Sequence, residues 1–245
     1  MTVADEVKLG REAQQQLRAQ LPRVHGGIAS YVSSIGGRLA AEARGPRYPY
    51  SFSIADYRDI NAFALPGGPI WINRGALDAA TSESQLAGVL AHEVAHVARR
   101  HAADQISKGI IANGLLGLLG AMLGNAGGAP TAQAGAQLLA GGYLMTFSRD
   151  DERDADRAGI EIMRRAGWDP HGLVEFLDTL RRRSGRDPSS VEVFLSTHPS
   201  PAERVADLRA ALTKSPPHGT RDSHAFRTMK IALARLPPAT RMPKP

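Results

Sequence analysis

The sequence contains no cysteine. That excludes a disulfide, a thiolate nucleophile and any cysteine-bound metal, so a metal here must be held by His, Asp or Glu. The absence is neutral about compartment. Also missing is an apolar leader: residues 1–20 are polar and helix-forming, with no hydrophobic stretch of the signal-peptide kind. The expected location is the cell envelope or periplasm if a leader has been removed, and the cytoplasm otherwise. No internal repeat is visible. With 245 residues, 42% hydrophobic and 22% charged, the composition is that of a soluble globular protein of one large or two small domains.

Charge is scarce in one place and one-sided in another. The net charge is +6, and residues 214–245 carry seven bases and one acid, which accounts for all of it. The preceding 213 residues balance, with 23 bases and 23 acids. A basic tail on a neutral body argues against a nucleic-acid-binding core, which needs a basic face on the fold itself. It leaves open a tail that touches anionic lipid or an acidic partner. Residues 109–148 carry no charge at all. They divide into apolar runs of fifteen (110–124) and sixteen (132–147) residues around the breaker GNAGGAPT. A membrane span needs ~20 apolar residues, so neither run is a convincing one. The segment 109–147 reads instead as an apolar helical hairpin on the domain, and its glycine-rich joint would let it act as a lid.

Elsewhere the pattern alternates between helical and strand periods. Helices are expected over 4–20 and 26–43, the second with Ile28, Val32, Ile35 and Leu39 on one face. Strands follow at 50–55, 61–65 and 69–73, the last two joined by a Pro66-Gly67-Gly68 turn. A long helix is expected over 83–107, capped by Thr81 or Ser82 with Gln85 completing a capping box. Further helices are expected over 148–166, from Pro170 to about 183, and from Pro201 to about 212. A short basic helix fits 223–235. The division is a domain over 1–213 and a basic, proline-rich tail over 214–245.

The chemistry concentrates in His92-Glu93-Val94-Ala95-His96. At about 100° per residue, the two histidines stand about 40° apart on successive turns, so both can reach one ion. Glu93 lies on the neighbouring edge, suited to take a proton from water. The plain alternative is a histidine pair with ordinary polar neighbours. The surrounding helix is strongly apolar, so these groups should be buried and need partners. His101 lies about half a turn round from His92 on a continuous helix and reads as a capping or surface residue. A hydrolytic zinc site needs a third protein ligand. Glu152 is the candidate, with Asp156 one turn later to accept an N–H from a ligand histidine. Taken alone, the acidic run 150–152 is an ordinary helix start, favourable at the positive end of the dipole. Beside the histidine pair the ligand reading is preferred.

Four separated motifs now stand together: the Asn61-Ala62-Phe63-Ala64-Leu65-Pro66-Gly67-Gly68 strand and turn, the His92–His96 helix, the Glu152 and Asp156 pair, and Thr197-His198-Pro199 followed by Arg204. In this combination, over about residues 8–212, the chain resembles the zinc metallopeptidase family of the CAAX prenyl protease, HtpX and BepA, in its soluble bacterial envelope branch. The resemblance implies an α+β, mainly α, zincin-like (gluzincin) fold with a small sheet and an active-site helix. It implies one zinc ion on His92, His96 and Glu152, with Glu93 activating water and Asp156 orienting a ligand. It implies that His198 lies near the ion, polarising the carbonyl or filling the fourth position, and that Arg204 steadies the oxyanion. Asn61, Ala62, Phe63 and Ala64 would form the strand on which an extended peptide lies.

The expected function is a zinc-dependent endopeptidase acting on extended or misfolded polypeptides in envelope quality control, latent through His198 or the lid. The alternatives are an envelope chaperone or binding protein with little proteolysis, and a peripheral membrane protein whose contact runs through 109–147 or the tail.

Overall fold

The computed structural model describes residues 1–107, 146–199, 201–213 and 216–242. The order is α1 (Val3–Gln20), β1 (Arg23–Val24), α2 (Gly27–Ala41), β2 (Ser51–Ala55), β3 (Ala62–Ala64), β4 (Pro69–Asn73), α3 (Arg74–Ala79), α4 (Glu83–Ala98) and α5 (His101–Ser107). Then come α6 (Arg149–Ala166), α7 (His171–Ser184), a 3-10 turn (Pro188–Ser190), α8 (Glu192–Thr197), α9 (Pro201–Leu212) and α10 (His224–Ala234). The fold is mainly helical with one small mixed sheet, as the sequence pattern implies.

The sheet runs in the order β1-β2-β4-β3. β2 and β4 are parallel, and β1 and β3 are antiparallel to their neighbours. β3 and β4 form the expected hairpin, with Gly67 at φ 74° and Gly68 at φ 121° in the turn, backbone that side chains rarely adopt. The two-residue β1 and the one-and-a-half-turn α3 have no period long enough to show in sequence.

α4 is the centre of the molecule. Ser82 caps it by accepting from Gln85 N–H at 3.3 Å. The Gln85 side chain reaches Thr81 instead of closing the box on Ser82. Every residue of α4 is buried, and beyond its first turn every residue but His92, Glu93 and His96 is small or apolar. α2, α6, α7 and β3 surround it. Gly88 lets α7 come close, because a Cβ there would lie 2.7 Å from the Leu173 Cα.

The helix expected over 83–107 is broken. α4 stops at Ala98, and Arg100 has a left-handed φ of 63°. Tertiary contacts hold this conformation. The Arg100 guanidinium meets buried Glu6 at 2.6 and 2.9 Å and the Met1 carbonyl at 2.7 Å. The chain then restarts as α5 in a new direction, which changes where His101 goes.

α6 opens with a capping box between Ser148 and Asp151 and closes on Gly167 in the left-handed region. The apolar hairpin or lid expected over 109–147 lies outside the described residues except for Thr146 and Phe147. These two are not helical. They fasten to the end of α8, through Phe147 N–H to Thr197 O at 3.2 Å and Thr146 Oγ1 to Ser196 O at 3.0 Å.

Residues 216–242 lie on the domain. Arg221 pairs with Asp169 and Glu175, and Lys230 Nζ donates to three carbonyls at the end of α3. Arg74 returns the arrangement, donating to the Leu233, Leu236 and Pro237 carbonyls at the end of α10. Two of the tail's cations, Arg221 and Lys230, are thus engaged by the body of the molecule. Among the described residues, no helix is long and apolar enough to cross a membrane.

Candidate metal centre

α4 supplies His92, Glu93 and His96; α6 supplies Glu152 and Asp156. The residue after α8 is His198, and α9 supplies Arg204. All seven side chains are buried, at 2% exposure or less. Sequence reasoning grouped these residues, and the structure brings them to one point.

Four donor atoms converge. His92 Nε2 and His96 Nε2 are 3.0 Å apart, and His198 Nδ1 is 3.4 Å from His92 Nε2. Glu152 Oε1 lies 2.8 Å from His198 Nδ1 and 3.3 Å from His96 Nε2, while Glu152 Oε2 is 3.5 Å from His92 Nε2. Tetrahedral zinc with bonds of about 2.0–2.1 Å has donor-to-donor edges of about 3.3–3.4 Å. The observed separations bracket that value, so the residues present fit such an ion. Glu93 adds a second sign. Both its carboxylate oxygens are buried and accept no hydrogen bond, with His198 Nε2 3.6 Å away. A buried carboxylate without partners is costly unless a site uses it.

The electrostatics follow from burial and a few charges. Burial pushes Glu93 above the usual carboxylate range, which favours a proton acceptor. Burial also opposes ionisation of Glu152, but His198 and Arg204 beside it hold the carboxyl well below its ordinary value. Asp156 is likewise buried, yet the charge and hydrogen bonds of Arg204 bring it down to about 2. Burial holds His96 well below the imidazole range. His92 differs: burial and Arg204 lower it, but hydrogen bonds to Asp156 and Glu152 prevail and raise it to about 9. The anions around His92 thus attract positive charge, which a metal ion also provides.

A surrounding layer orients these groups. His92 Nδ1 lies 3.0 Å from Asp156 Oδ1, which leaves its Nε2 to face the converging donors. Arg204 grips Asp156 and also meets Glu152 Oε2 at 2.5 Å. Its shortest contacts are to these two carboxylates, and its Nη2 also lies 3.4 Å from His92 Nδ1. Phe194 stacks on His198 with centroids 4.6 Å apart, and Phe147 lies against His96 at 3.9 Å. Neither phenylalanine carries a sequence signal that would have found it. His101 is a correction. It is buried, not on the surface, and its Nδ1 is 3.0 Å from His96 Nδ1. The break at Arg100 turns it back toward the site.

β3 is the outermost strand of the sheet and runs beside α4. Asn61 O and Leu65 N–H bond to β4 at 2.8 Å each, and in this antiparallel register the Ala62 and Ala64 backbone groups face the outer edge. Asn61, Ala62, Phe63 and Ala64 therefore lie at the edge the sequence points to.

Residues 29–212 match peptidase family M48. The chain is 32% identical over 244 residues to the beta-barrel assembly-enhancing protease of Yersinia pestis, covering 95% of this chain and 49% of that protein. It is 29% identical over 215 residues to the mitochondrial metalloendopeptidase OMA1 of Schizosaccharomyces pombe, covering 86% and 62%. It is 28% identical over 187 residues to the metalloprotease YcaL of Escherichia coli, covering 74% and 72%. The chain spans about half the length of the beta-barrel assembly-enhancing proteases it matches. Family match and donor geometry agree, and the chain belongs to peptidase family M48.

Proposed function

We propose that the chain is a zinc-dependent endopeptidase of extended or misfolded polypeptides, held in a closed resting state. The observation that carries this is the meeting of four donors at tetrahedral separations beside a buried, unpartnered Glu93. His92, His96 and Glu152 would hold one zinc ion, with His198 as a fourth donor. When bound, zinc supplies Lewis acidity to the scissile carbonyl and to water. Glu93 accepts the proton from water and passes it to the leaving amine. Asp156 fixes the tautomer of His92. Arg204 holds Asp156 and Glu152 in place, a supporting role in place of the oxyanion contact implied by the resemblance. Substrate adds to β3 as a further strand, bonding to the outward groups of Ala62 and Ala64.

A catalytic zinc site keeps an open position. Four protein donors would leave none, so His198 would have to withdraw before peptide could bind. That is the basis for latency. The Phe147 contact with the His198 loop ties the end of 109–147 to the same movement. The resemblance to the envelope branch supports work in protein quality control of the cell envelope or periplasm. Polypeptide is the partner this geometry fits. Membrane contact through 109–147 or the tail is a second reading; among the described tail cations, Arg221, Arg227 and Lys230 are already engaged within the chain.

Metal analysis of the purified protein, joined to casein turnover, tests this. Wild type should contain one zinc per chain and cleave, and Glu93→Gln should keep the zinc and lose cleavage. Cleavage by Glu93→Gln at the wild-type rate would remove the mechanism. Peptide binding without cleavage by the wild type would favour the chaperone reading.

A further inference from the structure

The two helical histidines are supported differently. His92 Nδ1 faces a carboxylate directly, at 3.0 Å from Asp156. His96 Nδ1 faces another imidazole, at 3.0 Å from His101 Nδ1. Beyond it, His101 Nε2 lies 3.4 Å from Asp154 Oδ2 and 4.0 Å from Asp151 Oδ1.

Two imidazole nitrogens in contact need one proton between them. His96 presents Nε2 to the converging donors, so its Nδ1 carries the hydrogen. His101 Nδ1 must then accept, and His101 must be protonated on Nε2. That is the nitrogen facing the Asp154 and Asp151 carboxylates, which favour an N–H there. One arrangement satisfies every member: His96 Nδ1–H donates to His101 Nδ1, and His101 Nε2–H points to Asp154. The opposite arrangement leaves a bare Nε2 facing carboxylates and a hydrogen on the metal side of His96.

We propose that His101 is a positioning residue: it relays the orienting effect of Asp154 to His96 and holds that ligand in its metal-binding tautomer. The geometry needs the break at Arg100. On a continuous helix a residue five positions after His96 would stand about 140° away round the axis. The left-handed Arg100, anchored by Glu6, brings the His101 ring to a centroid distance of 4.9 Å from His96. Phe147 covers both rings, at 3.9 and 6.2 Å, which keeps water from replacing the relay. The proposal rests on the metal reading of the site.

The test uses the whole chain, stripped of metal and titrated with zinc in competition with a chromogenic chelator. Cobalt(II) serves as a spectroscopic probe of ligand geometry. His101→Phe removes the acceptor and keeps a buried ring. His101→Asn restores an acceptor oxygen close to the position of Nδ1. Asp154→Ala changes the outer end, at a partly exposed residue that also pairs with Arg99 at 3.3 Å. Loss of such an orienting partner weakens metal binding by about 10–100-fold. His101→Phe should fall in that range and alter the cobalt d–d bands. His101→Asn should recover most of the affinity, and Asp154→Ala should show a smaller loss in the same direction. Melting temperature in chelator shows whether each variant folds. Wild-type affinity and spectrum in His101→Phe overturn the relay. So does failure of His101→Asn to improve on an equally folded His101→Phe, or wild-type affinity in Asp154→Ala. A wild-type chain that binds neither metal overturns the metal reading itself, a different result from variants that bind as well as wild type.

Discussion

Arg204 clasps Asp156 through two parallel hydrogen bonds, Nε to Oδ2 and Nη2 to Oδ1, each 2.7 Å long. Both side chains are buried. The paired fork is the strongest geometry a guanidinium and a carboxylate can adopt. It fixes the carboxylate plane, and with it the oxygen that faces His92. Burial lowers the pKa of Arg204, but Asp156 and Glu152 more than restore it, so the charge is permanent.

Removing that cation should therefore damage folding and metal binding together. Arg204→Ala takes the permanent cation away from buried Asp156 and Glu152, and breaking a buried pair this way costs about 3–5 kcal/mol. Chemical denaturation should show that loss. Arg204→Lys keeps the charge but lacks the planar fork. It should recover part of the stability while metal affinity stays below wild type. An Arg204→Ala chain as stable as wild type would show that the clasp is incidental.

His198 should act as a brake. Replacing it with Ala removes the fourth donor and opens the position that substrate needs. Casein turnover by His198→Ala should rise severalfold over wild type, while zinc is held less tightly in chelator competition. A fall in turnover with zinc still bound would mean that His198 serves the reaction more than it restrains it.

The legible parts of the site were those whose geometry is local. His92, Glu93 and His96 lie within about one helical turn, where the angle per residue fixes their relation, and Glu152 and Asp156 are likewise one turn apart. β2, β3 and β4 showed because alternation and a Pro-Gly-Gly turn bounded them. The place of His101 is not legible in the sequence, because the 83–107 pattern reads as one continuous helix. The break depends on an ion pair between Arg100 and Glu6, 94 residues apart in sequence, and such a contact leaves no local pattern. The course of the tail was hidden for the same reason. Lys230 and Arg74 act on carbonyls at helix ends far away in the chain.

The break itself can be tested. Among the described residues, Arg100 is the only non-glycine with a positive φ. A left-handed residue with a Cβ costs about 1–2 kcal/mol. Arg100→Ala keeps that strain and leaves buried Glu6 with only the Tyr48 hydroxyl, so it should lose about 1.5–3 kcal/mol, the worth of hydrogen bonds to a charged group. Arg100→Gly loses the same contacts but relieves the strain. It should be more stable than Arg100→Ala by about 1 kcal/mol in urea melts. If alanine is tolerated better than glycine, the turn is not held in the left-handed form.

Asp169 gives the tail its acid sensitivity. It is fully buried between α6 and α7. Its carboxylate accepts from Arg221 Nη1 at 2.6 Å, lies 2.7 Å from His171 Nδ1, and accepts from His171 N–H at 3.1 Å. Burial works against its charge, but the His171 and Arg221 hydrogen bonds prevail and lower its pKa. The folded value therefore lies below the unfolded one of about 3.9. Stability from the ionised form is complete above that unfolded value and is lost as pH falls through the folded pKa. Asp169→Asn has no charge to lose. At pH 7 it should be less stable than wild type by about 1.5–3 kcal/mol, because the bonds to Arg221 and His171 lose their charge assistance. The gap should hold down to about pH 4, then close as wild type protonates. Urea melts of both proteins across that range measure it. A gap that stays constant into strong acid would mean that Asp169 contributes through packing, and that Arg221 fastens the tail through Glu175 alone.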